Sequence, residues 1–108
     1  MAVGKRLKRQ LSFLQSVLQE ANRKKRQEQL HHANSDQINA ISEVVLNLFK
    51  NNIPVTPTFI AKLRPHKQAL ITLGQRRQSI KKRRNLLMNQ RGSGLFKGLN
   101  DVVCQCLR

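Results

Sequence analysis

Asn34-Ser35-Asp36-Gln37-Ile38-Asn39-Ala40-Ile41-Ser42-Glu43-Val44-Val45-Leu46-Asn47-Leu48-Phe49 decides how this chain folds. The short polar side chain of Asn34 caps a helix, and Gln37 stands three residues later, as a capping box requires. Ile38, Ile41, Val44, Val45, Leu48 and Phe49 then fall on one face of a 3.6-residue period. Such a stripe has to be buried, and Asn51-Asn52-Ile53-Pro54 ends the helix that carries it. It is the strongest core element in the sequence.

On the N-terminal side, residues 4–31 read as one long helix. Leu7, Leu11, Leu14, Leu18 and Ala21 recur at four-then-three spacing and line one face as a seam. Lys5, Arg6, Lys8 and Arg9 stand at one end of it, and Arg23-Lys24-Lys25-Arg26 at the other. Only about two heptads are sustained, so the pattern predicts an amphipathic packing helix rather than a long coiled coil.

On the C-terminal side, Thr56 caps a helix with Pro57 at its first position, and Phe59, Ile60 and Leu63 face inward. Pro65 interrupts the run after Arg64, and a short helix over 65–73 is closed by Gly74 as a left-handed cap. Ser79 caps a basic helix over 80–89, with Ile80, Leu86, Leu87 and Met88 as its core contacts. Arg91-Gly92-Ser93-Gly94 reads as a flexible hinge. Leu95, Phe96, Leu99, Val102, Val103 and Leu107 form a short amphipathic tail that needs a partner surface. No strand pattern of useful length occurs. The expectation is an all-α fold, a small bundle of short helices with a long basic N-terminal helix and a short amphipathic C-terminal one. Its expected divisions are a basic helix (1–33), a compact basic domain (34–90) and a hinge with an apolar tail (91–108).

Charge carries the functional expectation. Between 44 and 100 there is no Asp or Glu, yet twelve cations occur: Lys50, Lys62, Arg64, Lys67, Arg76, Arg77, Lys81, Lys82, Arg83, Arg84, Arg91 and Lys97. The 108 residues hold 21 Lys+Arg against 5 Asp+Glu, a formal charge of +16. Cations this dense repel one another, and a polyanion relieves that repulsion while releasing its condensed counterions. Arg76-Arg77-Gln78-Ser79-Ile80-Lys81-Lys82-Arg83-Arg84 gathers six of them around a helix start, where free N–H groups also attract phosphate. Cations there oppose the helix dipole, a conflict that a phosphate group resolves. A solvated face or a nuclear-import signal at Lys81-Lys82-Arg83-Arg84 is the plainer reading. The acid-free stretch, however, is far longer than import needs. The expected phosphate contacts are Arg76, Arg77, Lys81, Lys82, Arg83 and Arg84. Lys62, Arg64, Lys67, Arg91 and the cluster Arg23, Lys24, Lys25 and Arg26 add to them.

Other residue types narrow the function class. The chain has no Trp or Tyr and four Phe, which argues against stacking bases on aromatic platforms. Two short helices over 54–74 superficially allow a helix-turn-helix with His66, Lys67 and Gln68 at a recognition start, but packing helices joined by short turns are commoner. Sequence-specific reading is not expected. His31, His32 and His66 make no recognisable ligand set. Cys104 and Cys106, one residue apart, neither frame a disulfide scaffold nor complete a zinc site. Five acids offer no carboxylate pair, so neither an enzyme nor a cofactor or metal is expected. No run of about 18 apolar residues is present to span a membrane. Residues 11–18, interrupted by Ser and Gln, make a poor signal-peptide core, and a reducing intracellular setting is expected.

Leu63-Arg64-Pro65-His66-Lys67, then Ser79-Ile80-Lys81-Lys82-Arg83-Arg84, Leu86-Leu87 and Gln90-Arg91-Gly92-Ser93-Gly94-Leu95-Phe96 form a pattern. It resembles short basic proteins of Maverick/Polinton-type elements and adintoviruses, over roughly the C-terminal two thirds of the chain. These elements resemble adenoviruses, whose small basic core proteins condense the genome. The resemblance implies a virion-core or DNA-packaging role, in the host nucleus or the virion. Such elements encode an adenain-like protease, and Gln90-Arg91-Gly92-Ser93-Gly94 fits its cleavage pattern, with the scissile bond between Ser93 and Gly94. A plain hinge is the simpler reading of that segment.

The leading expectation is therefore sequence-independent binding and condensation of nucleic acid, DNA before RNA. The alternative is a structural or adaptor protein that meets a capsid protein, or a second copy of itself, through Leu7, Leu11, Leu14 and Leu18 and the 95–107 tail. A ribosome-associated or RNA-binding protein is a third reading, because phosphate contact does not distinguish the two nucleic acids.

Overall fold

At Asn34 both capping-box bonds form: its side chain accepts from Gln37 N at 2.9 Å, and Gln37 Oε1 accepts from Asn34 N at 2.8 Å. The helix they start, α4 (Ser35–Phe49), is the centre of the molecule. The computed structural model describes residues 5–50, 56–75, 77–90 and 92–106, with the side chains of 105 and 106 excepted. Around α4 stand α1 (Lys5–Arg9), α2 (Leu11–Gln19), α6 (Lys67–Gly74), α7 (Ile80–Met88) and α8 (Gly94–Cys106), each packed against it. α3 (Arg23–His31) lies on α2 and α7. α5 (Pro57–Leu63), continued by a 3-10 turn (Arg64–His66), lies on α8. All the described secondary structure is helical, as expected. α4 buries Ile38, Ile41, Val44 and Val45 together with Ala40 and Ser42, so more than one of its sides is covered.

The N-terminal segment differs from the single helix expected over 4–31. The chain turns at Gln10, whose amide donates to Asp36 Oδ2 at 2.8 Å instead of facing solvent. It breaks again after Gln19, where Glu20 and Asn22 take extended backbone angles. Asn22 is the cap of α3, accepting from Lys25 N at 3.2 Å. The Asn just before the basic run is thus a helix start, because its side chain competes for backbone donors.

One hydrophobic cluster runs through the whole described chain. It joins Leu7, Leu14, Val17 and Leu18 from the N-terminal helices to Leu95, Phe96, Leu99, Val102 and Val103 of α8. The seam and the tail, expected as surfaces for other molecules, find each other, since α2 packs directly on α8. Leu7, Leu14 and Leu18 are buried and Leu11 is partly so, which removes them as a self-association face. The boundaries expected at 33/34 and 90/91 do not separate cores.

Glycines set the close approaches. A Cβ at Gly98 would run into Leu63 Cδ2, so α5 seats against α8 only because that position lacks a side chain. Gly74 was expected as a left-handed cap, but it lies within α6, and the cap is Gln75 at φ −91°. Its use is proximity: a Cβ there would meet Phe49 at 3.2 Å and Val45 at 3.4 Å. Thr56 caps α5 as expected, accepting from Phe59 N at 3.1 Å, and Leu63 is buried. Ile60 (46% exposed) and Phe49 (47%) do not face the core. They line a shallow groove of about 350 Å³ with Leu48, Leu63 and Leu70, rimmed by Arg64 and Lys67.

α1 is held to α4 by charge. Arg6 reaches Asp36 Oδ1 at 2.8 Å and Glu43 Oε1 at 2.9 Å, and Arg9 reaches Asp36 Oδ2 at 3.3 Å. Hydrogen bonds from Gln10 and Arg6 hold the Asp36 carboxyl below the usual aspartate range. The bond to Asp36 raises the Arg6 pKa.

Two outcomes are expected. Leu99→Ala should lower stability by about 2–5 kcal/mol in urea unfolding, since it opens a cavity in the shared core. The Asp36 contribution is complete well above the ordinary aspartate value of 3.8 and is lost as pH falls through its lower folded value. Melting temperatures of the wild type should therefore fall on acidification and converge with those of Asp36→Asn, which should be the less stable at neutral pH and the less sensitive to acid.

Candidate nucleic-acid interface

α7 begins where Ser79 Oγ accepts from Lys82 N at 3.0 Å, the cap expected from sequence. Leu87 is fully buried, with Ile80, Leu86 and Met88 packed at the edge of the core. Arg83 lies one turn before Leu87 and points the same way. It is 2% exposed, and its guanidinium donates to Ser42 Oγ at 2.6 Å and to Gln78 O at 3.2 Å. Arg84 is half-buried and donates to Ala33 O at 2.6 Å. Lys81 and Lys82 are exposed, as is Arg77 in the preceding turn. Arg76 and Arg91 lie outside the described residues. The four cations of α7 therefore divide by helix face, and Arg83 is removed from the expected phosphate contacts.

α3 divides in the same way. Arg26 lies one turn before the buried Leu30 and is itself 1% exposed. Its guanidinium carbon sits 4.1 Å from the Phe96 ring centroid, a cation–π contact shielded from water. It donates to Glu20 O at 3.2 Å, Gly92 O at 3.2 Å and Ser93 Oγ at 3.3 Å. Burial, with Arg23 adding, pushes its pKa down. Arg26 is thus a clamp between α3 and the start of α8, unable to meet a phosphate. Arg23, Lys24 and Lys25 remain exposed.

The same clamp bears on the Ser93–Gly94 bond. Lys97 N donates to Ser93 O at 2.8 Å, so Ser93 opens α8 rather than a loop. Both Gly92 and Ser93 are held by Arg26. A protease needs extended, accessible backbone. Cleavage here would detach a helix whose Leu95, Phe96 and Leu99 are at most 1% exposed. The described part of the segment, 92–94, is thus a helix start tied to α3 rather than a free hinge.

α3 and α7 run antiparallel. Arg23 donates to Gln90 O at 3.3 Å and Gln27 to Met88 O at 2.8 Å at one end, while Arg84 meets Ala33 at the other. Arg77, Lys81 and Lys82 therefore sit at one end of a two-helix ridge, and Arg23, Lys24 and Lys25 at the other. At about 1.5 Å per residue, the clusters are separated by roughly 14 Å along α7. Lys25 shares a hollow with Glu20 and Glu28, so that end is less uniform in sign. Lys62, Arg64 and Lys67 are exposed on α5, the 3-10 turn and α6. Among the described residues, the ion pairs all involve Arg6 and Arg9. Sequence reasoning missed the interior roles of Arg26 and Arg83, although each stands four residues before a core leucine.

His31 and His32 are exposed and meet edge to face at 5.1 Å. Among the described residues no group of three or more His, Cys, Asp or Glu could hold a metal, and no helix is long and apolar enough to cross a membrane. No family model, no curated protein and no solved structure matches the chain.

The division of α7 is open to direct measurement. Arg83→Ala orphans two acceptors and should cost about 2–5 kcal/mol of stability. Lys82→Ala, on the exposed side, should change stability by no more than about 0.5 kcal/mol. Equal effects in chemical denaturation would contradict the assignment.

Proposed function

We propose that this protein binds nucleic acid without regard to sequence, and condenses it, through the lysines and arginines left on its surface. One observation carries the reading. With Arg26 and Arg83 buried and Arg84 half-buried, Arg23, Lys24, Lys25, Lys81 and Lys82 remain exposed on α3 and α7, and Arg77 in the turn before α7, without an ion-pair partner among the described residues. Lys62, Arg64 and Lys67 extend the charge over the neighbouring elements. Two clusters roughly 14 Å apart are commensurate with the roughly 12 Å major groove of B-DNA, so each can meet phosphates on a different strand. Phosphate contacts of this kind position a protein but carry no base information.

Duplex DNA is the favoured partner, and a core role in a virion or mobile element follows from the resemblance of the 63–96 region to basic proteins of such elements. The adaptor reading is the weaker one, because Leu7, Leu14 and Leu18 of the seam and Leu95, Phe96, Leu99, Val102 and Val103 of the tail are buried in one shared core.

Fluorescence anisotropy with unrelated duplexes, double-stranded RNA and single strands tests the proposal. If about six to ten phosphates are neutralised, affinity should drop roughly 10³- to 10⁵-fold between about 50 and 200 mM salt. The pair Lys81→Glu and Lys82→Glu should weaken binding to every duplex alike while leaving the helical spectrum intact. An affinity flat across that salt range would refute the mechanism.

A further inference from the structure

The connection between α6 and α7 reads Arg76-Arg77-Gln78-Ser79-Ile80: two arginines at the third and second positions before a serine, and an apolar residue after it. Basophilic protein kinases select substrates by this arrangement, since acidic pockets pair with the two guanidinium groups and an apolar pocket takes the next side chain. We propose that Ser79 is a phosphoacceptor for a basophilic serine/threonine kinase and that phosphate there switches the charge of the neighbouring surface. The acceptor role stands by itself; the switch rests on the nucleic-acid reading.

The local structure fits an acceptor. Ser79 is exposed, and its backbone is extended at φ −63°, ψ 154°. Its Oγ accepts from Lys82 N, and among the described residues its own O–H donates to nothing. Arg77 is exposed and has no carboxylate partner among those residues. A kinase holds its substrate extended, so Ile80 has to leave the edge of the core. The bonds to be opened are those of the first turn, Lys82 N to Ser79 Oγ and Arg83 N to Ser79 O at 3.1 Å. Helix ends open at low cost. Ser12 is the nearest competitor, with Arg9 three residues before it and Phe13 after it. It has one arginine rather than two, that arginine pairs with Asp36, and Ser12 already lies within α2.

In the transfer, Ser79 Oγ attacks the γ-phosphorus of Mg·ATP. The new Oγ–P bond forms as the P–O bond to the leaving ADP breaks, and the hydroxyl proton passes to the carboxylate base of the kinase. The product carries about −1.5 to −2 charges at pH 7, at a helix N-terminus that favours anions. A phosphate oxygen can keep the bond to Lys82 N, so α7 retains its cap. Arg77, Lys81 and Lys82 then face an internal phosphate in place of an external one.

The test uses the full chain, the catalytic subunit of cAMP-dependent protein kinase and Mg·ATP, read by intact mass and fragment mapping. One phosphate on Ser79 is expected. Ser79→Asn, which keeps a capping oxygen but cannot be phosphorylated in this way, should gain none while its circular dichroism matches the wild type. No transfer, or transfer to Ser12 or another residue instead, overturns the acceptor role. The modified protein should then bind duplex about tenfold or more weakly at near-physiological salt, with kinase-treated Ser79→Asn unchanged. Equal affinity before and after modification overturns the switch. Should the unmodified protein ignore duplexes, the nucleic-acid reading and the switch both go, while the mass result still decides the acceptor.

Discussion

The packing of α2 on α8 is the contact on which the other helices depend. Leu14, Val17 and Leu18 on one element and Leu95, Phe96, Leu99 and Val102 on the other are almost wholly withdrawn from water. A small chain with a formal charge of +16 repels itself in its compact state, so its limited apolar surface has to be gathered into one cluster. α8 also supports α4 and α5. The seat of α5 at Gly98 thereby fixes where Lys62 emerges, which links a core glycine to the pattern of surface charge.

Arginine serves two opposed purposes here. Inside, the guanidinium fan of Arg26 or Arg83 satisfies several acceptors at once, with its apolar plane free to stack, as Arg26 does on Phe96. Outside, Arg77 and Arg23 stand with Lys24, Lys81 and Lys82 in solvent. Which role an arginine takes follows from the helix face it occupies. The formal charge overstates the charge that a polyanion would meet.

Elements specified by local chemistry were legible from residues alone. The Asn34–Gln37 box, Thr56 before Pro57 and the Ser79 cap each need only a side chain and a nearby backbone N–H, and each forms. What depends on distant chain was not legible. The leucine seam suggested an unbroken helix because its period survives the turn at Gln10, which is fixed by Asp36 from α4. Gly74 resembled a cap because nothing local reveals that Phe49 comes within 3.2 Å of the place a Cβ would take. Of the surface cations, Arg77, Lys81 and Lys82 lie exposed as expected, whereas Arg26 and Arg83 do not. Their spacing from Leu30 and Leu87 was visible, but their acceptors, Gly92 O and Ser42 Oγ, come from remote segments.

Several of the interior arginine bonds end on peptide carbonyls, those of Glu20, Gly92, Gln78 and Ala33. A carbonyl belongs to the backbone and survives any exchange of the side chain beside it. Tolerance to mutation is therefore lopsided at Glu20, Gln78 and Gly92, none of them buried: the arginine is hard to replace, while the residue whose carbonyl receives it can change. The architecture is thus tied to the guanidinium groups themselves more than to the side chains of the residues they reach.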